Sequence, residues 1–314
     1  MRVLVTNDDG VESPGLHELA QSLAACGHDL VVAAPDRDMS GSSAAIGQVH
    51  IDEHIDAEPA ELPGLDGVPA YAVDGPPGLC VFAARLGGFG PPPDLIVSGI
   101  NPGANTGRAV LHSGTVGAAL TAASFGCRGI AVSLDVSARH LHERPGAAPP
   151  AAVPSVDGTA AGPVGDARVS AEVVRDVDGA GRPLPVDGYD APARWSTAAV
   201  VASSMMGWLE AAAASVVLNV NVPNVPFDQL AGMQAATLAP FGRVRAAVVE
   251  SAEQRGRVQM ELRPSEEELP VDCDTALVDQ GFVAVTALSG IGRDPSVDLS
   301  DLLDDVLIGG GRTA

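Results

Sequence analysis

Arg2-Val3-Leu4-Val5-Thr6-Asn7-Asp8-Asp9-Gly10 begins with five residues that are mostly β-branched or apolar, then turns abruptly polar. A short apolar run that stops at a Gly-containing turn reads as a strand buried on both faces. Three further runs have the same form: Asp29–Ala34, Asp94–Ser98 and Gly129–Leu134. Between them, Gly15–Cys26, Gly78–Leu86 and Val116–Phe125 carry helical spacing, with Leu16, Leu19, Leu23 and Ala24 on one face of the first. Alternating strands and helices predict an α/β fold, a parallel sheet flanked by helices. Ligands of such sheets collect outside the carboxyl ends of the strands, so the polar residues after each strand are the place to look.

Beyond residue 135 the pattern changes. Residues 136–192 hold 8 Pro and 7 Gly with a single aromatic, Tyr189, which predicts a flexible insertion, with Val169–Val177 able to pair as an edge strand. A helical stretch, Trp195–Ala214, and an apolar run, Val216–Val222, return the chain to the core pattern. Strand-like runs at Gln234–Leu238, Val244–Val249, Val258–Leu262 and Gly281–Thr286 read as an antiparallel β excursion over 233–290, with an acidic patch at Glu266–Glu268. Ser300–Ile308 reads as a short acidic amphipathic helix. The whole is expected to be one α/β domain over 1–314, a Rossmann-like parallel core with a C-terminal antiparallel excursion.

Composition narrows the function classes. The 314 residues carry 40 acidic side chains against 18 basic ones, a formal net charge of −22, and every basic residue is Arg. Such a chain is ill suited to gripping nucleic-acid polymers or anionic membranes, and no run approaches the roughly 20 apolar residues of a membrane span. Two acids arrive before any signal-peptide core could form, and Cys26, Cys80, Cys127 and Cys273 are widely separated. A cytoplasmic protein with reduced cysteines is the expectation.

Each strand end has an ordinary reading and a chemical one. In Asn7-Asp8-Asp9-Gly10 the acids could be a turn cap beside a solvated neighbour. They could equally swing to one point, where a hard divalent cation would relieve their mutual repulsion. Pro35-Asp36-Arg37-Asp38-Met39-Ser40-Gly41-Ser42-Ser43 is either a surface loop or a source of hydroxyls and amides for a metal or anion. Asn101 and Asn105, in Gly99-Ile100-Asn101-Pro102-Gly103-Ala104-Asn105, suit tight turns but also offer neutral carbonyl ligands and amide donors. His112-Ser113-Gly114-Thr115 precedes a helix, so Ser or Thr is an N-cap or, with the exposed amides, part of an anion site. His112 is either loop support or a proton donor. Four such clusters at strand and helix ends point to one shared site.

The ordered motifs resemble the SurE family of survival-protein nucleotidases. The resemblance runs through Val5-Thr6-Asn7-Asp8-Asp9-Gly10 with Pro14-Gly15, then Val32-Ala33-Ala34-Pro35-Asp36-Arg37 with Ser40-Gly41. It continues through Val97-Ser98-Gly99-Ile100-Asn101 with Gly103 and Asn105, Ser113-Gly114-Thr115-Val116, and Ala131-Val132-Ser133-Leu134. Thr197-Ala198-Ala199 and Leu218-Asn219-Val220-Asn221-Val222-Pro223 also fit. It implies a metal-dependent phosphomonoesterase, a 5′-nucleotidase acting on nucleoside 5′- and 3′-monophosphates, with exopolyphosphatase side activity. It places one divalent ion, Mg²⁺ or Mn²⁺, on positions matching Asp8, Asp9, Ser40 and Asn101. It places the substrate phosphate on Asn105, Ser113, Gly114 and Thr115, and implies a homodimer or homotetramer.

Departures accompany the match. A Thr and an Asp that the family carries are absent from Gly75-Pro76-Pro77-Gly78-Leu79-Cys80-Val81, and the stretch between Leu134 and Trp195 is long. The family's aromatic-rich segment is missing around Arg255–Leu269, and the later pattern returns only loosely at Asp274-Thr275 and Gly281–Leu288. On this reading Asp8 or Asp9 aligns or deprotonates the attacking water, or one of them forms an aspartyl-phosphate. Two rivals stand beside it. One is a nucleotide-dependent oxidoreductase or transferase, disfavoured because no Gly-x-Gly-x-x-Gly turn follows the first strand. The other is a catalytically silent relative that only binds nucleotide or metal.

Overall fold

The computed structural model describes residues 1–47, 54–136, 192–240, 244–249, 259–264 and 268–289. The insertion expected over 136–192, apart from its two end residues, lies outside them, as do Val169–Val177 and Ser300–Ile308. The core is a nine-stranded sheet in the order β3-β4-β2-β1-β5-β6-β7-β11-β8. Its centre comprises β1 (Arg2–Thr6), β2 (Asp29–Pro35), β4 (Ala70–Val73), β5 (Leu95–Pro102), β6 (Arg128–Asp135) and β7 (Val217–Pro223), all mutually parallel. β3 (Ala57–Pro59) closes one edge antiparallel to β4.

The antiparallel C-terminal strands occur in two places. β11 (Val283–Leu288) runs antiparallel to β7 and so extends the main sheet, while β9 (Val244–Val249) and β10 (Gln259–Pro264) form a separate antiparallel pair. β8 (Met233–Ala235) is parallel to β11, so part of the expected excursion belongs to the main sheet.

Alternation along the strands assigns the two faces. Val3, Val5, Val32 and Val97 face α1 (Pro14–Ala25) and α4 (Trp195–Ala211), meeting Leu16, Leu19 and Leu23 on one helix and Val201, Ala202 and Leu209 on the other. Leu4, Val31 and Ile96 face the opposite way, onto Leu79, Cys80 and Ala83 of α2 (Pro77–Arg85) and Ala118 and Ala122 of α3 (Gly114–Ser124). Among the described residues no helix is long and apolar enough to cross a membrane.

Chain order and spatial order together locate the crevice. From β1 the sheet grows through β2 to β4 on one side, then restarts through β5, β6 and β7 on the other. The switch point therefore lies between β1 and β5, whose loops diverge and leave room at their carboxyl ends. β5 also outruns its expected end at Ser98. The register with β6 slips between Ser98 and Asn101, and Gly99, at φ +138°, sits in that bulge. A side chain there would put its Cβ 2.3 Å from the Val132 carbonyl oxygen, so glycine lets the strand bend and continue. Asn101 is consequently a strand residue rather than a turn residue.

Candidate active site

Asn7 shapes the turn after β1: its Oδ1 accepts from the Gly10 amide at 3.2 Å. The loop after β2 docks onto that turn, because Met39 N–H donates to the Asp8 carbonyl at 2.7 Å and Val11 N–H to the Pro35 carbonyl at 2.8 Å. These bonds bring Asp38, Ser40 and Gly41 beside Asp8 and Asp9. A cleft of about 390 Å³ opens at this point, lined by both of those acids with Asp38, Ser40, Asn101, Asn105, His112 and Ser113.

Asp8 is 3% exposed and held by the first turn of α3. Its Oδ2 accepts from the Gly114 amide at 3.2 Å, and its Oδ1 accepts from the Thr115 hydroxyl. Burial raises its pKa, and the Thr115 hydroxyl with the helix-start amides works against that rise. The helix N-terminus that the sequence offered as a phosphate cradle therefore has the Asp8 carboxylate against it. Gly114 and Thr115 touch Asp8 and do not line the cleft. Ser113 does line it. Its Oγ accepts from the Val116 amide at 3.1 Å as an N-cap, leaving the hydroxyl proton free to donate outward.

Asp9 differs in kind. The residue is partly exposed, but its Oδ2 is buried and has no hydrogen-bond partner. Burial, then the neighbouring charges of Asp8 and Asp38, push its pKa up to about 8. Arg37 offers no relief, being bound at 2.8 Å to both Asp36 and Asp74. Among the described residues no three His, Cys, Asp or Glu side chains close on one point as a ready-made metal cage. An ion in this cleft would need the two carboxylates together with neutral oxygens, such as the Ser40 hydroxyl and the Asn101 carbonyl. That donor set suits a hard cation.

Asn105 is held by residues that the sequence reading quoted without giving them a role. Its amide donates to Asn221 Oδ1 at 2.7 Å, and its carbonyl accepts from Asn219 Nδ2 at 2.8 Å and Asn221 Nδ2 at 3.0 Å. Its own Nδ2 donates to Ser133 Oγ at 2.9 Å, leaving one amide proton available. Asn101, Ser133 and Asn221 are register partners across β5, β6 and β7, a polar row at the strands' carboxyl ends. The signal was readable: two Asn at i and i+2 inside an apolar strand share one face. Asn221→Ala would leave the Asn105 N–H without a partner and its carbonyl with Asn219 alone. We expect a loss of about 1–3 kcal/mol in denaturant unfolding and a raised KM, with Asn221→Asp less damaging to the Asn105 amide contact.

The segment Gly75–Val81, where a Thr and an Asp are absent, opens α2 and does not contribute to the cleft lining. Gly78 is packed against the loop after β2; a Cβ there would approach the Ala45 carbonyl oxygen at 2.5 Å.

Fold and site together define a doubly wound α/β protein with an oxygen-rich, acidic cleft at the switch point of its sheet. The family model described as survival protein SurE matches residues 3–242, and the chain belongs to the SurE family. It is 31% identical to the 5′-nucleotidase SurE of Aeromonas hydrophila subsp. hydrophila over 291 residues, 92% of each chain. With the 5′-nucleotidase SurE of Xanthomonas campestris pv. campestris it shares 32% identity over 290 residues, 92% of this chain and 89% of that one. The crystal structure of the SurE protein from Aquifex aeolicus has the same fold. It superposes with a TM-score of 0.67 over 98% of this chain and 100% of that one, at 21% identity.

Proposed function

We propose that the chain is a metal-dependent 5′-nucleotidase that hydrolyses nucleoside monophosphates to nucleoside and phosphate. The observation that carries this reading is the pair Asp8 and Asp9 at the switch point, with Asp9 Oδ2 buried and lacking a protein partner. A divalent cation fits that pair, since it would satisfy the orphan oxygen and offset both the burial and the carboxylate repulsion that raise the Asp9 pKa. Asp8, Asp9, Ser40 and Asn101 would hold it. When bound, such an ion supplies charge neutralisation at the phosphoryl group and a water of lowered pKa.

The chain's own residues do the rest. Thr115 and Gly114 fix the orientation of Asp8, so the carboxylate is placed before substrate arrives. Ser113, with its free hydroxyl proton, and Asn105, with its free amide proton, are placed to hold phosphoryl oxygens. Asp9, with one oxygen on the ion, would leave the other to align the attacking water or take its proton. A phosphate monoester needs mainly alignment and charge stabilisation, and these groups supply both. The reading extends to 3′-monophosphates and to terminal polyphosphate phosphates, which present a phosphoryl group of the same kind. We further assign the enzyme to the cytoplasm, consistent with four unpaired cysteines, three of them buried. We assign it a homodimeric or homotetrameric state, supported by the exposed apolar side chains of Phe227, Val271 and, on the edge strand β8, Met233.

Phosphate release from a panel of 5′- and 3′-mononucleotides and polyphosphate, with Mg²⁺, Mn²⁺ and chelator, tests the reading. Metal-dependent release from 5′-mononucleotides is expected; tight nucleotide binding with no release would favour the silent relative. A second prediction concerns protons. With its pKa near 8, Asp9 in the metal-free protein is protonated at pH 7, and a cation must displace that proton. Calorimetric Mn²⁺ titrations in buffers of different ionisation enthalpy should report proton release on ion binding at pH 7, falling as the pH rises through about 8. Release should vanish above pH 9.

A further inference from the structure

The 3-10 turn Gly107–Leu111 links Asn105 to His112 and Ser113, and a residue 167 positions away fastens its start. Asp274, at the beginning of α5 (Asp274–Asp279), is fully buried. Its Oδ2 accepts from the Gly107 amide at 2.8 Å. Its Oδ1 accepts from the Ala239 amide at 3.0 Å and from its neighbour Thr275's amide at 2.8 Å. One carboxylate thus joins the site turn to the strand of chain around residue 239. Shape reinforces the joint: Gly107 has φ +56°, and a Cβ on it would lie 2.8 Å from the Ala239 carbonyl oxygen. The bridge between Thr237 and Cys273, with Asp274 N–H donating to the Thr237 carbonyl at 2.8 Å, holds Asp274 in place. At the other end of the turn, Ser43 Oγ donates to the Leu111 carbonyl at 2.7 Å.

A buried carboxylate is costly to keep, and here three backbone donors and the Thr275 hydroxyl satisfy it, with no charged partner among the described residues. The segment it fixes carries Ala109, His112 and Ser113 into the cleft. We propose that Asp274 is a positioning residue. It holds the Gly107 turn, and so, together with the bonds of Asn219, Asn221 and Ser133 to Asn105, sets Asn105 and Ser113 against the phosphoryl oxygens. The inference rests on the nucleotidase reading. Asp8 is anchored by its own bonds, from Met39 and from Gly114 and Thr115 of α3, and the Gly107–Leu111 turn makes none of them.

The test compares wild type, Asp274→Ala and Asp274→Asn as full chains whose folding at the assay temperature is checked by circular dichroism. KM and kcat for AMP, inhibition by inorganic phosphate and Mn²⁺ affinity are measured. In Asp274→Ala, KM and the phosphate inhibition constant should rise together by roughly tenfold or more, as a displaced binding group predicts. Mn²⁺ affinity should stay within about twofold of wild type, because the ion's ligands are held elsewhere. Asp274→Asn, which keeps one acceptor oxygen, should recover part of the loss, and it alone decides the matter if the Ala variant does not fold. Wild-type KM and phosphate inhibition in the folded variants would overturn the proposal. So would a loss of Mn²⁺ affinity in step with them, the mark of general damage. If wild type itself releases no phosphate, the nucleotidase reading fails instead.

Discussion

Asp9→Asn should reduce metal-dependent phosphate release by roughly 10³-fold or more, since a bound cation's charge stabilisation amounts to several kcal/mol and each 1.4 kcal/mol is tenfold. The same substitution should make the metal-free protein more stable at high pH. In that state Asp9 has a pKa near 8, against 3.8 for an unperturbed Asp. Between those values the folded chain holds a proton that the unfolded chain has lost, so stability falls as pH rises through the window. Asn carries no such liability. In chelator, denaturant unfolding of the two proteins should diverge progressively from about pH 5 to pH 9, with Asp9→Asn the more stable by a few kcal/mol at the upper end. Activity lost while stability is gained marks a residue retained for its chemistry. A variant that loses both would point to a structural role for Asp9.

Gly114→Ala should be nearly as damaging by a different route. An added Cβ would lie 2.6 Å from Ser42 Oγ and 2.7 Å from both Cβ and Oδ2 of Asp8. These atoms belong to the site itself, so relief of the clash must move Asp8, the Ser42 loop or the start of α3. We expect destabilisation of about 1–3 kcal/mol, typical of overpacking a tight interior. We also expect kcat/KM to fall by roughly a hundredfold or more, as displacement of a placed group predicts. Thermal unfolding together with steady-state kinetics measures both. Wild-type kinetics in Gly114→Ala would mean that the helix start does not place Asp8.

Much of this was legible in the sequence because the decisive patterns are local. Val3 to Thr6 read as a strand and Leu16, Leu19 and Leu23 as the buried face of a helix, and both are so placed. The residues singled out for the metal, Asp8, Asp9, Ser40 and Asn101, line one cleft with Asn105 and Ser113. They follow strand ends, and the parallel topology gathers strand ends. Shorter elements escaped. β4 is four residues, Ala-Tyr-Ala-Val, and β3 three, too brief for periodicity to register. Asp274 opens α5, a helix of six residues that gives no amphipathic signal.

Other facts are long-range by nature. Ser-Gly-Thr before a helix suggested an anion site, and the anion met there is the protein's own Asp8, 106 residues back from Gly114. Nothing in either local sequence encodes that approach. The glycine that permits it is visible only as a residue type. Likewise the strand end at Ser98 looked final because Gly-Ile-Asn-Pro is turn chemistry, yet a bulge against β6 carries the strand on to Pro102.

The acidity of the chain bears directly on the need for a metal ion. With 40 acids, 18 Arg and no Lys, and with Arg37 bound to Asp36 and Asp74, a phosphate dianion entering beside Asp8 and Asp9 would meet repulsion. Substrate entry therefore depends on the cation. Wild-type protein stripped with chelator and dialysed free of it, then given AMP and increasing Mn²⁺, provides the direct measurement. Phosphate release should be absent without metal and should rise to a plateau as one ion binds per chain. Full release from the stripped protein, unchanged by Mn²⁺, would contradict that dependence.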